Sequence, residues 1–213
     1  MNKYIQGLLR EDGEPALVGM QQGLLIRAGI YTPTGQLFDE VIQPAHSYVN
    51  HWAILLNYKF SDAGQNASAW VDTAGNSKTP TANNTRFLRT DAAINIDTHG
   101  IVVGTGSTAV AMTDTKLVTQ IAQGSGSGQL THGIMQAFTV DAVGASTPRY
   151  VNLARGFQNN SGAAITVSEA GLYGQHQCSD GTRNFCVCRD LITFTIPIGY
   201  LAVVQYQMVF NLA

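Results

Sequence analysis

Apolar and polar residues alternate with a period of two through the last third of the chain. Ile192, Phe194, Ile196 and Ile198 fall on one side, with Thr193, Thr195 and Pro197 on the other. After Gly199 the alternation resumes: Tyr200, Ala202, Val204, Tyr206, Met208 and Phe210 share a face, and Gln205 and Gln207 lie opposite. Successive side chains of a strand point to opposite faces, so this spacing predicts two half-buried β-strands.

The same reading places three strands before them. Ile134, Phe138, Val140 and Ala142 mark one face of the first, Val151, Leu153 and Phe157 the second, and Ile165, Val167 and Tyr173 the third. Asn159-Asn160-Ser161-Gly162 is a turn signal between the last two. Gly100-Ile-Val-Val-Gly104 reads as a short strand running into a glycine turn. Thr113 or Asp114 is expected to cap a single helical turn through Leu117, Val118 and Ile121. Gly124-Ser-Gly-Ser-Gly128 reads as a flexible loop. Short strands with regular turn signals predict an all-β chain with a β-sandwich, jelly-roll-like core over residues 94–213.

Residues 1–93 carry a different pattern. Residues 1–45 are mixed and glycine-rich, with apolar pieces at Leu24, Leu25, Ile26 and Ile30, and are expected as an arm or short strands. Pro44 and Ser47 introduce one short helix, with Ser47 as N-cap and Tyr48, Trp52, Leu55 and Leu56 at helical spacing. Residues 61–95 are polar, with Trp70 and Val71 as the main anchors. They read as a long loop or a pair of weak hairpins suited to contact with another subunit. The expected organisation is therefore an arm, helix and contact loops over 1–93, then the sandwich.

Composition narrows the function classes. At 213 residues and 45% apolar content the chain can bury one substantial core. Charged residues make up only 12%, about half the usual share. That fits a β-protein whose surface is largely covered by neighbours better than a freely diffusing enzyme. A net charge of −2, with no run of Lys or Arg, argues against a nucleic-acid partner. No stretch approaches ~18 uninterrupted apolar residues, so no membrane span is expected. Met1 to Arg10 lack the basic start, apolar core and cleavage site of a signal peptide. The sequons at Asn66, Asn83 and Asn159 then read as chance matches.

Candidate chemistry is sparse. Arg155 and Glu169 interrupt the apolar faces of their own strands and flank the Asn-Asn-Ser-Gly turn almost symmetrically. In register across a hairpin they would form a partly buried structural ion pair. Cys178, Cys186 and Cys188 form a thiol cluster, the latter two expected on one strand face. Free thiols, a hairpin disulfide and, with His176, a zinc site all remain open, although Cys-x-Cys spacing is too short for a zinc knuckle. His46, His51, His99 and His132 are scattered, with neither HExxH spacing nor a triad order. The Gly100–Thr108 block lacks both the Gly-Lys-Ser/Thr ending of a phosphate loop and dinucleotide spacing. No enzymatic turnover, cofactor or metal is expected.

Three segments carry a family resemblance: GIVVGTGSTAVAMTDTKLVTQIAQGSGSGQLTHG, ARGFQNNSGAAITVSEAGLYG and VCRDLITFTIPIGYLAVVQYQMVF. In order they give a Gly-rich Ile-Val-Val-Gly block, a Thr-Asp-x-x-Leu turn, a Gly-x-Gly-x-Leu loop, an Arg…Asn-Asn-Ser-Gly…Glu-x-Gly-Leu unit, an Arg-Asp strand and a closing strand. This order, over about residues 94–210, resembles structural proteins of tailed-bacteriophage virions, of the capsid decoration or cement type. SYVNHWAILL resembles a helix that precedes it. IPIGYLAVVQYQ and the cysteine-containing insert depart from the pattern.

The resemblance implies an all-β homo-oligomer, with trimers favoured. It would be made in the bacterial host cytoplasm and bind the major capsid protein lattice on the virion exterior. The alternative it leaves is a tail, baseplate or fibre-associated subunit, with host glycans as a contact.

Overall fold

A computed structural model describes residues 22–45, 48–49, 52, 70–80, 89–136, 139–140 and 149–210. Among these, nine strands form: β1 (Gln22–Tyr31), β2 (Leu37–Pro44), β3 (Gly100–Gly104), β4 (Thr131–Met135), β5 (Thr139–Val140), β6 (Arg149–Gln158), β7 (Ile165–Cys178), β8 (Gly181–Ile196) and β9 (Leu201–Phe210). They build two antiparallel sheets. One has the order β2-β1-β9-β6-β4, with β5 also on β6; the other is β3-β7-β8. Buried side chains of both sheets meet in one core, including Ile26, Leu153, Phe157 and Tyr206 from the first and Ile101, Val167, Phe194 and Ile196 from the second. The protein is all-β, two sheets closing on one another as in a β-sandwich.

The alternation read at the C-terminus carries through to burial. Ile192, Phe194 and Ile196 are buried while Leu191, Thr193 and Thr195 are exposed. Ala202, Val204 and Tyr206 are buried in β9, with Leu201, Val203 and Gln205 partly open between them. Gly199 (φ 77°) turns the chain between these strands, a left-handed conformation that glycine adopts without steric cost. β3 is buried at all five positions. Ile101 and Val103 face the main core, while Val102 packs behind the sheet with Val49, Leu117, Tyr173 and Cys186.

Four sequence expectations need correction. First, of the two expectations for residues 1–45, an arm or short strands, the described part, residues 22–44, takes the strand form and belongs to the core. β1 pairs with β9 along its whole length and with β2 on its other side, because Leu24, Ile26, Ala28 and Ile30 form a buried period-two face. The boundary at 93 therefore cuts through the larger sheet. Second, the strand expected over 134–142 is two pieces, β4 and β5. Its phase is shifted: Ile134 is 57% exposed, while His132 and Met135 are buried at a register irregularity. Third, residues 113–121 form no helical turn; Asp114 serves as a hydrogen-bond acceptor instead. Fourth, the turn after β6 is not a hairpin. It carries the chain from the first sheet to the second.

Asn159 pins that crossing. Its amide donates to the carbonyls of Ile196 (2.8 Å) and Ala163 (2.9 Å), and its Oδ1 accepts from the Ser161 amide and hydroxyl. Its backbone bonds Tyr200 and Gly199. One side chain thus ties together the β6–β7 and β8–β9 crossings. It is fully buried, so the third sequon offers no glycosylation site.

Of the helix expected from Ser47, only Tyr48, Val49 and Trp52 lie within the described residues. Tyr48 bridges to Cys188 at the β8 edge and stacks on Trp52 with ring centres 5.0 Å apart. In the 61–95 region, Trp70 is buried, Val71 bridges to Ser77, and an Asp72-centred turn closes between them.

Because β1 lies between β2 and β9, deleting residues 1–31 should abolish cooperative unfolding, whereas deleting residues 1–20 should retain it. Thermal melts followed by circular dichroism check this. A cooperative melt in the longer deletion would contradict the sheet order.

Candidate functional site

Arg155 and Glu169 do not meet. Arg155 lies on β6 of the larger sheet and Glu169 on β7 of the smaller one, so each finds other partners. Glu169 is fully buried, and three backbone amides surround it. Its Oε1 accepts from Thr119 (2.8 Å) and Gly106 (3.1 Å), and its Oε2 from Val118 (3.1 Å). Arg189, on β8 opposite Gly171, donates its Nε diagonally to Oε2 at 2.8 Å. Arg189 also reaches Asp114 Oδ2 (2.8 Å) and the Thr108 carbonyl (2.8 Å).

Here the Gly-rich block finds its explanation. Gly104 and Gly106 lie against the Glu169 carboxylate. A Cβ at Gly104 would sit 2.5 Å from the Thr119 carbonyl oxygen and 2.6 Å from Glu169 Oε1, and one at Gly106 would overlap Oε1 outright. Backbone amides turned toward one point form an anion-binding concavity. The resemblance to a phosphate loop is thus physical, but the anion held is the chain's own carboxylate. What the sequence conceals is the partner: Arg189 stood in view as the Arg of Cys-Arg-Asp, and nothing local tied it to residue 169.

Arg155 organises the other flank. Its five donors reach only carbonyls: Gly133 from Nε (2.8 Å), His99 (3.2 Å) and Ile101 (2.9 Å) from Nη1, and Ala93 and Ile96 from Nη2. Among the described residues no carboxylate forms an ion pair with it. Burial therefore pushes its pKa down to about 10, partly offset by the charge of Asp97. The planar fork satisfies the carbonyls of a loop that would otherwise be buried without donors.

The three thiols are free and buried. Cys186 and Cys188 do not share surroundings. A bulge opposite Leu172 and Tyr173 leaves Val187 unpaired, so Cys188 joins the main core and Cys186 the smaller cluster behind the sheet. Burial pushes the Cys178 thiol up to about 11 and raises the other two further. They are poor nucleophiles, since the thiolate is the reactive form. Among the described residues no cluster of His, Cys, Asp or Glu has metal-binding geometry. No described helix is long and apolar enough to cross a membrane.

Surface clefts open among the described residues. One, of about 380 Å³, is lined by Gln43, Tyr48, Val110, Met112, Asp190 and Leu191. Another, of about 320 Å³, lies between the 72–76 turn and the 116–120 segment. Exposed apolar side chains gather at one end of the larger sheet: Leu37, Phe38 and Ile198 are each more than half exposed, with Phe38 edge-on to Tyr200.

His132 gives the site a pH dependence. It is fully buried against Phe157, and among the described residues neither ring nitrogen makes a well-formed hydrogen bond, although the Ile96 and Ile121 backbones lie close. Burial, then the neighbouring Arg155 charge, push its pKa down to about 4. In the unfolded chain the ring takes up its proton near about 6.5. Between those values only the unfolded chain binds the proton, so stability is greatest above pH 6.5 and falls toward pH 4. The urea midpoint should drop between pH 7 and 4.5, and His132→Leu should flatten that drop. An unchanged slope in the variant would exclude His132 as its source.

No protein-family model, curated protein or solved structure matches the chain.

Proposed function

We propose that the protein is a virion structural subunit that decorates and cements a capsid lattice. The observation that carries this reading is where the motif residues lie. Asp114, Arg155, Asn159, Glu169 and Arg189, together with Gly104 and Gly106, are among the residues of the three segments that carry the resemblance to phage structural proteins. All of them are spent on internal hydrogen bonds and close packing. A pattern used up in holding a scaffold together is the signature of a fold, and it leaves recognition to surfaces. The low charge content and the apolar end at Leu37, Phe38 and Ile198 supply such a surface.

In this reading the sandwich is of the jelly-roll type and the protein is a homo-oligomer, a trimer at the local three-folds. It sits on the capsid exterior against the major capsid protein, after synthesis in the host cytoplasm. Cementing is mass action: a subunit that binds only the assembled lattice makes disassembly harder. No catalytic turnover, cofactor, nucleic acid or membrane contact is required.

The second reading, a tail, baseplate or fibre-associated subunit, draws on the polar cleft of about 320 Å³, which a pure cement does not need. Copy number separates the two. Quantitative mass spectrometry of purified particles should find hundreds of copies per virion, and Phe38→Glu should reduce that occupancy at least tenfold while the chain stays folded. A few tens of copies would favour the tail; absence from particles would refute both.

A further inference from the structure

We infer that the cleft between the 72–76 turn, the 94–98 loop and the 116–120 segment is a subsite for a neutral saccharide unit. The inference is independent of the cement reading and rests on the second reading, the tail, baseplate or fibre subunit, whose cleft it assigns.

The walls are fixed from within. Thr73 donates its amide to the Asn184 carbonyl at 2.9 Å, which ties the turn to the edge of β8. Asp72, buried beneath, accepts the amides of Ala74 and Asn76. The 94–98 loop hangs on Arg155, on the bond from the Asn95 amide to the His132 carbonyl (2.9 Å), and on the Gln123 amide, which donates to Asp97 Oδ2 at 2.9 Å. The 116–120 segment is held by Glu169 through Val118 and Thr119, and by the Leu117 amide on Tyr173 Oη. A cleft whose walls are already ordered loses little entropy on binding.

Its polar groups are incompletely used. Among the described residues no hydrogen bond reaches Asp97 Oδ1. Gln120 donates Nε2 to the Asp97 carbonyl (2.6 Å), and its Oε1 has no partner among them. The Thr73 hydroxyl and the Lys116 ammonium have no partner among the described residues, and Asn184 Oδ1 is buried without one. Donors and acceptors of both kinds thus line one space of about 320 Å³, within the roughly 300–1,000 Å³ usual for small-molecule sites.

The charge pattern selects the ligand class. Asp97 opposes a phosphate or carboxylate that Lys116 alone would attract. The largely polar lining leaves a hydrocarbon unrewarded. A pyranose offers many hydroxyls without net charge, and a C–H face for the exposed Val118 side chain.

The test is a two-dimensional ¹⁵N–¹H titration of the full chain with the methyl glycosides of glucose, galactose, mannose and N-acetylglucosamine in turn. Inorganic phosphate and acetate serve as controls. A single subsite of this size should bind with Kd on the order of millimolar. At least one glycoside should give saturable shifts confined to the amides of Thr73, Asp97, Thr98 and 116–120. Gln120→Ala and Asp97→Asn should each weaken that binding about tenfold while the rest of the spectrum is unchanged. Shifts by none of the four glycosides, shifts centred elsewhere, full binding by a folded Gln120→Ala, or tighter binding of phosphate than of every glycoside would each overturn the assignment.

Discussion

A carboxylate buried without water must be met by donors on every side, and Glu169 imposes that demand on the whole smaller sheet. Its two oxygens collect three backbone amides and one guanidinium. To deliver those amides, the chain after β3 must pass within van der Waals contact of the carboxylate, which requires glycine at 104 and 106. The segment 117–121 must run beside β3, which it does through the bonds Thr105–Thr119 and Ile121–Val103. Arg189 must face inward from β8, and its remaining donors then draw in Asp114 and residues 108–109. One charge thus orders three stretches of chain that would otherwise be loops. The energetic logic is asymmetric: such a network contributes little over a well-packed apolar alternative, but breaking one member leaves a buried charge exposed to its full desolvation cost.

How much of this could be read from the residues depends on the range of the interaction that decided each feature. Strands with a local period of two were legible. β6, β7, β8 and β9 fall where Leu153, Val167, Phe194 and Val204 put them, and the Gly100–Gly104 run is the short strand expected of it, its burial on both faces shown only by the structure. β1 was legible as apolar residues at 24–30 but not as a strand inside the larger sheet, because its partner β9 lies at the other end of the chain. The phase error at Ile134 arose where a register irregularity interrupts the alternation. The site was less legible still. Arg155 and Glu169 were singled out because each breaks an apolar face. Their pairing was misassigned because Asn-Asn-Ser-Gly was read as a hairpin turn, when Asn159 uses it to cross between sheets. Cys186 and Cys188 were placed on one face by alternation, and a bulge separates them.

The functional reading follows from the same division between interior and surface. The buried polar members of the motif, Arg155, Asn159, Glu169 and Arg189, are internally engaged, so they constrain shape and leave binding chemistry open. Binding then falls to two features of the surface: the apolar end at Leu37, Phe38 and Ile198, and the polar cleft around Asp97 and Asn184. On the proposed readings they serve different partners, a protein lattice in one case and a hydroxyl-rich ligand in the other. Both are rigidly mounted, the first on the β1–β2 and β8–β9 turns and the second on loops anchored by Arg155 and Glu169.

The claim that a self-held carboxylate organises the smaller sheet is tested most directly by a double-mutant cycle on Glu169 and Arg189, measured by urea unfolding at pH 7. Glu169→Gln and Arg189→Met should each cost about 3–5 kcal/mol, and the double variant should cost clearly less than their sum because the two changes remove one shared interaction. Additive losses, or a Glu169→Gln cost below about 1 kcal/mol, would contradict it.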